Sequence, residues 1–260
     1  MRSSSQFYQQ PQAGKALKYL LWTLGVVFIF QLSFRQFGGF AVERFFGFVP
    51  EEFVAGKTWQ VLSYSFLHGG LLHLLFNALF LYMLGAQFER RWGSKNFLKY
   101  YCVCAIGGAL LHLLIWALSL AFFPSASSML GSIPIIGASG AAYGFFMAFG
   151  LLYAEQQVLV FFMIPMKAKN FVLLLTGVSI FSAVFYSTPE EGGGVAHLVH
   201  LGGLLTGFLY LKFRGPNLDG HGGLKIFKAK TARQKRKLRA VIIDKDGREV
   251  DDKGEPIIWN

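Results

Sequence analysis

Charged side chains are scarce in this chain: only 15% of its 260 residues are Asp, Glu, Lys or Arg, and just 14 are acidic. A water-soluble domain of this size covers its surface with far more charge, so that class is excluded. Cysteine is almost missing. The two present, Cys102 and Cys104, lie two apart on one expected helix and point to different faces, which rules out an intrahelical disulfide and says nothing about catalysis. No small-residue cleavage pattern follows the first apolar run, so a cleavable signal peptide is not expected.

Apolar residues make up the difference. Hydrophobic residues are 53% of the chain, Phe alone occurs 28 times, and mean hydropathy is +0.44. Separate apolar runs at about residues 16–34, 67–87, 97–122, 137–154, 170–186 and 195–213 have lengths near the roughly 20 residues that cross a bilayer. The expected fold class is all-α, a polytopic membrane protein built as a bundle of six transmembrane helices.

The formal net charge of +11 points to topology rather than to nucleic acid. Lys and Arg gather in short connections and at the two ends, as the positive-inside rule asks of a protein whose partner is the lipid bilayer. Glu89-Arg90-Arg91-Trp92-Gly93-Ser94-Lys95, the Lys167 and Lys169 stretch, and Lys212 with Arg214 mark cytoplasmic segments. The uncharged Pro124-Ser125-Ala126-Ser127-Ser128 and the Glu190-Glu191 connection mark the outside. Six spans with cytoplasmic N- and C-termini satisfy every short connection.

The chain then divides into a short cytoplasmic N-terminus at 1–15, a six-span core at 16–213 and a basic cytoplasmic tail at 214–260. The connection at 35–66 holds Phe45, Phe46, Phe48, Phe53 and Trp59, too apolar for a solvated loop. It is expected either as short helices in the membrane interface or as a compact loop packed on the bundle. In the tail, the basic run from Lys225 to Arg239 suits anionic lipid. Asp244-Lys245-Asp246-Gly247, between residues 240–243 and 256–259, reads as a hairpin. With no organelle-targeting stretch ahead of the core, a bacterial inner membrane is the expected location.

Polar side chains at membrane depth are costly, so their distribution points to function. Ser139 stands near the start of the fourth span between Gly137 and Gly140, which permit close backbone approach. There the unpaired N–H groups of a first helical turn suit an anion. His73 and Asn77, four residues apart, share a face of the second span, and His68 lies at that span's edge, where water is expected to reach it. His197 and His200 share a face of the sixth, beside the small-xxx-small surface of Gly203 and Gly207.

Spans four and six enter from the same side, so Ser139 and His200 can meet at one level if their helices are neighbours. A hydroxyl beside a neutral imidazole is a nucleophile with its general base. His73, Asn77 and the Ser139 N–H are candidate donors to an oxyanion. No Asp or Glu lies at that depth, which excludes a conventional triad and leaves His200 to be held by packing, with Tyr143 one turn below Ser139. Blander readings stand beside these. Ser139 fits a small-residue packing face, Asn77 an interhelical hydrogen bond, and Glu89 a solvated or cap position. His73, His197 and His200 fit a metal, although no carboxylate or thiolate completes a shell. On the residues alone, a membrane hydrolase, a transporter or channel, and a structural or sensory protein all stay open.

The composite pattern narrows the choice. His73-x-x-x-Asn77 on the second span, Gly137-Ala138-Ser139-Gly140 opening the fourth, and His200-x-x-Gly203-x-x-x-Gly207 on the sixth occur in order. Across about residues 16–213 the chain resembles the rhomboid family of intramembrane serine proteases. The resemblance implies a Ser139–His200 catalytic dyad needing no metal or cofactor, with His73 and Asn77 as the oxyanion-stabilising pair. It implies that Tyr143 packs against the catalytic histidine. His197 lies outside the minimal pattern and is given a supporting role. Glu89 and Gly93 match a structural turn, Gly137, Gly140, Gly203 and Gly207 are structural positions, and 35–66 is the membrane-embedded loop.

Trp59-Gln60 departs from the pattern, since many members carry Trp-Arg there, and this bears on how the loop is anchored. The implied activity is cleavage of single-pass membrane proteins at or near the outer edge of their transmembrane helix, after local unwinding. Water is expected to enter over the polar connection at 124–132, and the fifth span, next to the Gly192-Gly193-Gly194 hinge, is the expected gate. A rhomboid-like binding protein or chaperone for membrane helices is the second reading under the same resemblance.

Overall fold

In hydrocarbon every backbone N–H and C=O has to be satisfied within the protein, which drives apolar runs without interior proline into helices. The structure, a computed structural model, describes residues 12–37, 41–160, 163–185, 193–214, 242–243 and 249–250. Helix α1 spans Lys15–Phe37. The connection after it carries α2 (Val42–Phe46), α3 (Pro50–Val54), α4 (Gln60–Ser63) and a 3-10 turn at Tyr64–Phe66. Then follow α5 (Leu71–Phe122), α6 (Pro124–Ser132), α7 (Ser139–Leu152), α8 (Ala168–Phe185) and α9 (Gly193–Arg214). Gly93, at φ 76° and ψ 158°, breaks α5 into residues 71–92 and 94–122, so the fold is a six-segment polytopic helical bundle. Trp22, Leu72, Leu173, Phe181 and Phe213 stay exposed on its outside, as contact with lipid tails requires.

The core lies among α5, α7 and α9, where the rings of Phe88, Phe97 and Tyr100 surround Phe145. Near the Gly93 turn, Glu89 is buried rather than solvated. Its carboxyl accepts the N–H groups of Ala16 (2.9 Å) and Leu17 (3.0 Å) and the Ser94 hydroxyl (2.6 Å). A side chain of α5 therefore caps α1, and removing it would leave two buried donors unpaired at a cost on the order of 3 kcal/mol. Arg91 donates to the Tyr153 hydroxyl (3.2 Å), which brings the Gly93 turn and the connection after α7 to one side of the bundle. That connection holds an unforeseen antiparallel pair, β1 (Gln157–Val160) with β2 (Ile164–Lys167), in which Val158 faces Met166.

At the opposite end, the connection between α1 and α5 folds as short helices, and Phe48 and Val49, in the link between α2 and α3, are fully buried. Gln60 anchors it. Its Oε1 accepts Val49 N–H (3.1 Å), and its Nε2 donates to the carbonyls of Arg44 (3.0 Å) and Phe45 (3.3 Å), so a buried neutral amide supplies the local fastening.

Four expectations change. Residues 124–132 are not an open polar connection but helix α6, with Pro124 at its start and the Ser127 and Ser132 hydroxyls bonded back to Pro124 O and Ser128 O. His68 is wholly buried, not water-facing: its N–H donates to Gln31 of α1 and its ring stands edge-on to His73. Gly193 and Gly194 open α9 as helix instead of forming a hinge, while Gly192 lies outside the described residues. In the tail, β3 (Ile242–Ile243) pairs antiparallel with β4 (Glu249–Val250). The return strand thus comes earlier than 256–259, which lies outside the described residues, as do residues 1–11 and the basic run from Lys225 to Arg239.

Candidate active site

With 14 residues, α7 is about 21 Å long, short of a hydrocarbon core of about 30 Å. The chain reaches its start as non-helical backbone, which is tolerated at such depth only when other protein groups satisfy it. Ile135 and Phe48 exchange N–H···O bonds of 2.9 Å each, and Gly137 N–H donates to Tyr64 O (2.9 Å). Gly137 sits at φ 131°, and a Cβ there would lie 2.9 Å from His73 Nε2, so both its conformation and its neighbour require glycine. This entrance makes Ser139 the first residue of α7. The first helical acceptor is Ala138 O, taken by Ala142 N–H (3.0 Å), so the helix offers none to the Ser139 N–H.

Helix α9 brings His200 to the serine. Gly203 lies so close to Gly140 that a Cβ would collide with the Gly140 carbonyl oxygen, and one on Gly207 would stand 3.1 Å from Gly144 Cα. With the two backbones that close, Ser139 Oγ and His200 Nε2 are 2.8 Å apart. The Tyr143 ring stacks flat on the His200 imidazole, centroids 4.1 Å apart and planes 4° from parallel. His200 Nδ1 is buried and has no partner among the described residues, so no carboxylate orients the ring. The arrangement offers a hydroxyl, a proton acceptor and a stacking surface.

Across the cavity, the first segment of α5 presents His73 and Asn77. Gly69 N–H donates to His73 Nδ1 (3.2 Å), which makes that nitrogen an acceptor and, in a neutral ring, puts the proton on Nε2, on the edge of the ring that with Cε1 lies against Gly137. Asn77 is buried and spends one amide hydrogen on His73 O (2.9 Å), keeping the other free of its helix. A cavity of about 260 Å³ joins the two sides, with Phe80, Phe146, Phe171 and Leu175 as its apolar walls.

Ser139, His200, His73, Asn77 and Tyr143 all line this cavity; His197 does not, and stands edge-on to His200 at 5.3 Å between centroids. Among the described residues no three His, Cys, Asp or Glu side chains come together as a metal shell requires, so the alternative ligand set of His73, His197 and His200 has no geometric support. Sequence reasoning missed Tyr64, Gly69 and Gln31. Gln31 carried a signal, an amide in the middle of an apolar span. Gly69 and the Tyr64 carbonyl act through backbone atoms and carried none.

Comparison with known proteins agrees with this architecture. A family model described as the Rhomboid domain matches residues 55–217. The chain is similar to the Rhomboid protease GluP of Bacillus subtilis, 28% identical over 222 residues that cover 84% of this chain and 39% of that protein. It is also similar to the mitochondrial Rhomboid protein 1 of Saccharomyces cerevisiae, at 27% over 62% of this chain and 43% of the relative. Rhomboid-like protease 3 of Toxoplasma gondii is 32% identical over 58% of this chain and 49% of its own length. The chain thus spans less than half the length of the curated relatives it matches. Because the family match takes in well over half of the sequence and runs from the anchored connection through α9, the chain belongs to the rhomboid family.

Proposed function

We propose that the protein is an intramembrane serine endopeptidase that cuts transmembrane protein substrates with Ser139 as nucleophile and His200 as general base. The observation that carries this reading is the 2.8 Å approach of Ser139 Oγ to His200 Nε2 beside a cavity with donors on its far wall. His200 Nε2 takes the hydroxyl proton as Oγ bonds to the scissile carbonyl carbon. The carbonyl oxygen, now an anion, accepts from His73 Nε2–H, the free hydrogen of Asn77 Nδ2 and the Ser139 N–H. Collapse breaks the C–N bond, and His200 returns its proton to the departing amine. Water then attacks the acyl carbon and gives its proton to His200; the C–Oγ bond breaks, and His200 returns that proton to Ser139 Oγ as the carboxyl product leaves.

With no carboxylate on Nδ1, the Tyr143 face keeps the imidazole in plane with the serine. His197 borders His200 and supports its placement. Substrates are membrane helices with small or helix-weakening residues near one end, since a peptide bond is open to attack only once its helix unwinds. The charge pattern favours cytoplasmic chain ends and a cavity toward the outer side, with residues 1–15 and the tail at 214–260 flanking a 16–213 core; the membrane of this reading is a bacterial inner one.

The test is purified full-length protein in liposomes with a fluorescent transmembrane peptide carrying an Ala-Gly segment. Specific cleavage abolished by both Ser139→Ala and His200→Ala, with thermal unfolding unchanged, is the expected result. Cleavage that survives either substitution removes that residue from the mechanism. Peptide capture without cleavage assigns the protein to the non-hydrolytic class of membrane-helix binders instead.

A further inference from the structure

His73 is useful as a donor only while its proton stays on Nε2, and one contact decides this, the Gly69 N–H against Nδ1. Gly69 lies in a two-glycine stretch, with Gly70 extended at φ −175° and ψ 171° before α5. Glycines restrict their own backbone least, so something else has to hold the amide in place. The holding groups come from α1 and α2. His68 N–H donates to Gln31 Oε1 (3.1 Å), fixing the residue before Gly69. Gly69 O lies 3.5 Å from an Arg35 guanidinium nitrogen. Gln31 Nε2 (2.6 Å) and Arg35 Nε (2.5 Å) both donate to one oxygen of Glu43. Gln31 is fully buried in the wall of an apolar helix, where an amide is tolerated only with its hydrogen-bonding capacity used, and both of its ends are engaged.

We propose that Gln31, Arg35 and Glu43 are positioning residues that clamp the Gly69 amide onto His73 Nδ1 and thereby keep the Nε2 proton directed at the oxygen formed during peptide attack. The inference rests on the oxyanion role given to His73 above. Without the clamp, the amide is free to leave Nδ1 and the imidazole proton can move there. Nε2 then becomes an acceptor, which repels an oxyanion. Glu43 belongs to the connecting segment rather than to a span, so the donor's chemistry is set from outside the helix that carries it. None of the three side chains lines the cavity, and a substrate need never touch them.

The test uses the full chain in bicelles with 15N-labelled histidine, the His73 signals being assigned by their loss in His73→Ala. In the unaltered protein the two-bond nitrogen–proton couplings should place the His73 proton on Nε2. Gln31→Met, which keeps length and loses both hydrogen bonds, should populate the Nδ1–H form. It should also lower kcat on the fluorescent peptide about 10-fold with KM unchanged, part of the loss expected for one missing oxyanion donor. Glu43→Gln, outside the spans and able to keep an acceptor oxygen, should show a smaller shift of the same sign, and serves if Gln31→Met does not fold.

A His73 proton that remains wholly on Nε2 in a folded variant overturns the proposal, whether or not kcat falls. The tautomer readout needs no turnover. An unaltered protein that cuts nothing yet shows a Gln31-dependent tautomer would therefore sink the protease reading while supporting the clamp.

Discussion

On the Ser139–His200 side of the cavity, position is set by shape. Gly203 abuts Gly140, Gly207 abuts Gly144, the Tyr143 ring lies flat on the imidazole, and among the described residues nothing bonds His200 Nδ1. On the His73–Asn77 side, position is set by hydrogen bonds. Gly69 N–H holds His73, Asn77 bonds to its own helix, and Gln31 and Glu43 tie the preceding turn to α1. The difference teaches what each wall tolerates. A packed wall is sensitive above all to volume, whereas a hydrogen-bonded wall is sensitive above all to losing a donor or a proton.

Gly203→Val should break the packed wall most severely. The added carbons have no room at the Gly140 carbonyl, so the two helices must separate, at about 3 kcal/mol of stability. A displacement of 1 Å between nucleophile and base costs about 100-fold in rate. Unfolding in mixed micelles together with cleavage rates checks this, and a variant with unaltered turnover would show that the glycine contact does not set the Ser139–His200 distance. Asn77→Ala should lower kcat about 10- to 1000-fold with little change in KM, the range for one lost donor, while leaving stability nearly untouched. A normal rate would assign Asn77 to packing alone.

Tyr143→Ala and Tyr143→Phe divide ring from hydroxyl. If stacking holds His200, the alanine variant should lose about 10-fold or more and the phenylalanine variant little, read as kcat on the same peptide. Equal losses would move the effect to the hydroxyl.

The smallest effect is acid sensitivity of the hydrogen-bonded wall. Burial pushes the Glu43 carboxyl up, but the Gln31 amide and then Arg35 outweigh it and hold the group below its ordinary value of 4.5. A carboxyl depressed in this way adds stability above its unfolded pKa, and that stability is lost as pH falls through the lower folded value. Stability measured from pH 7 downward should therefore lose less than about 1 kcal/mol from this source, all of it below about pH 4.5. Glu43→Gln should remove that step. An unchanged acid limb in the variant would place the sensitivity elsewhere.

Much of the helical bundle was legible because apolar length and the absence of interior proline act locally. Most polar residues at depth were legible for a related reason, since each one is costly on its own, although Gln31 was passed over despite the same signal. Glu89 was harder. Among three cations it reads as solvated or as a cap, and only the arrival of α1 shows that it caps Ala16 and Leu17. Gln60 was read as the loss of an arginine, although a buried amide with one acceptor and two donor hydrogens can serve three backbone groups. The hairpin after α7 escaped notice because its apolar strands continue the pattern of the preceding span.

Composition and order alone determined that this chain lives in a bilayer as a series of helices, and that a serine, several histidines and an asparagine lie at depth within them. Tertiary structure alone decided that Ser139 and His200, 61 residues apart, come within a hydrogen bond of each other, and that the Gly69 N–H reaches His73 Nδ1. The reason is physical. Helix formation and lipid burial are fixed residue by residue, while a distance between side chains on different helices depends on how closely two backbones approach and on which distant amide reaches a ring nitrogen.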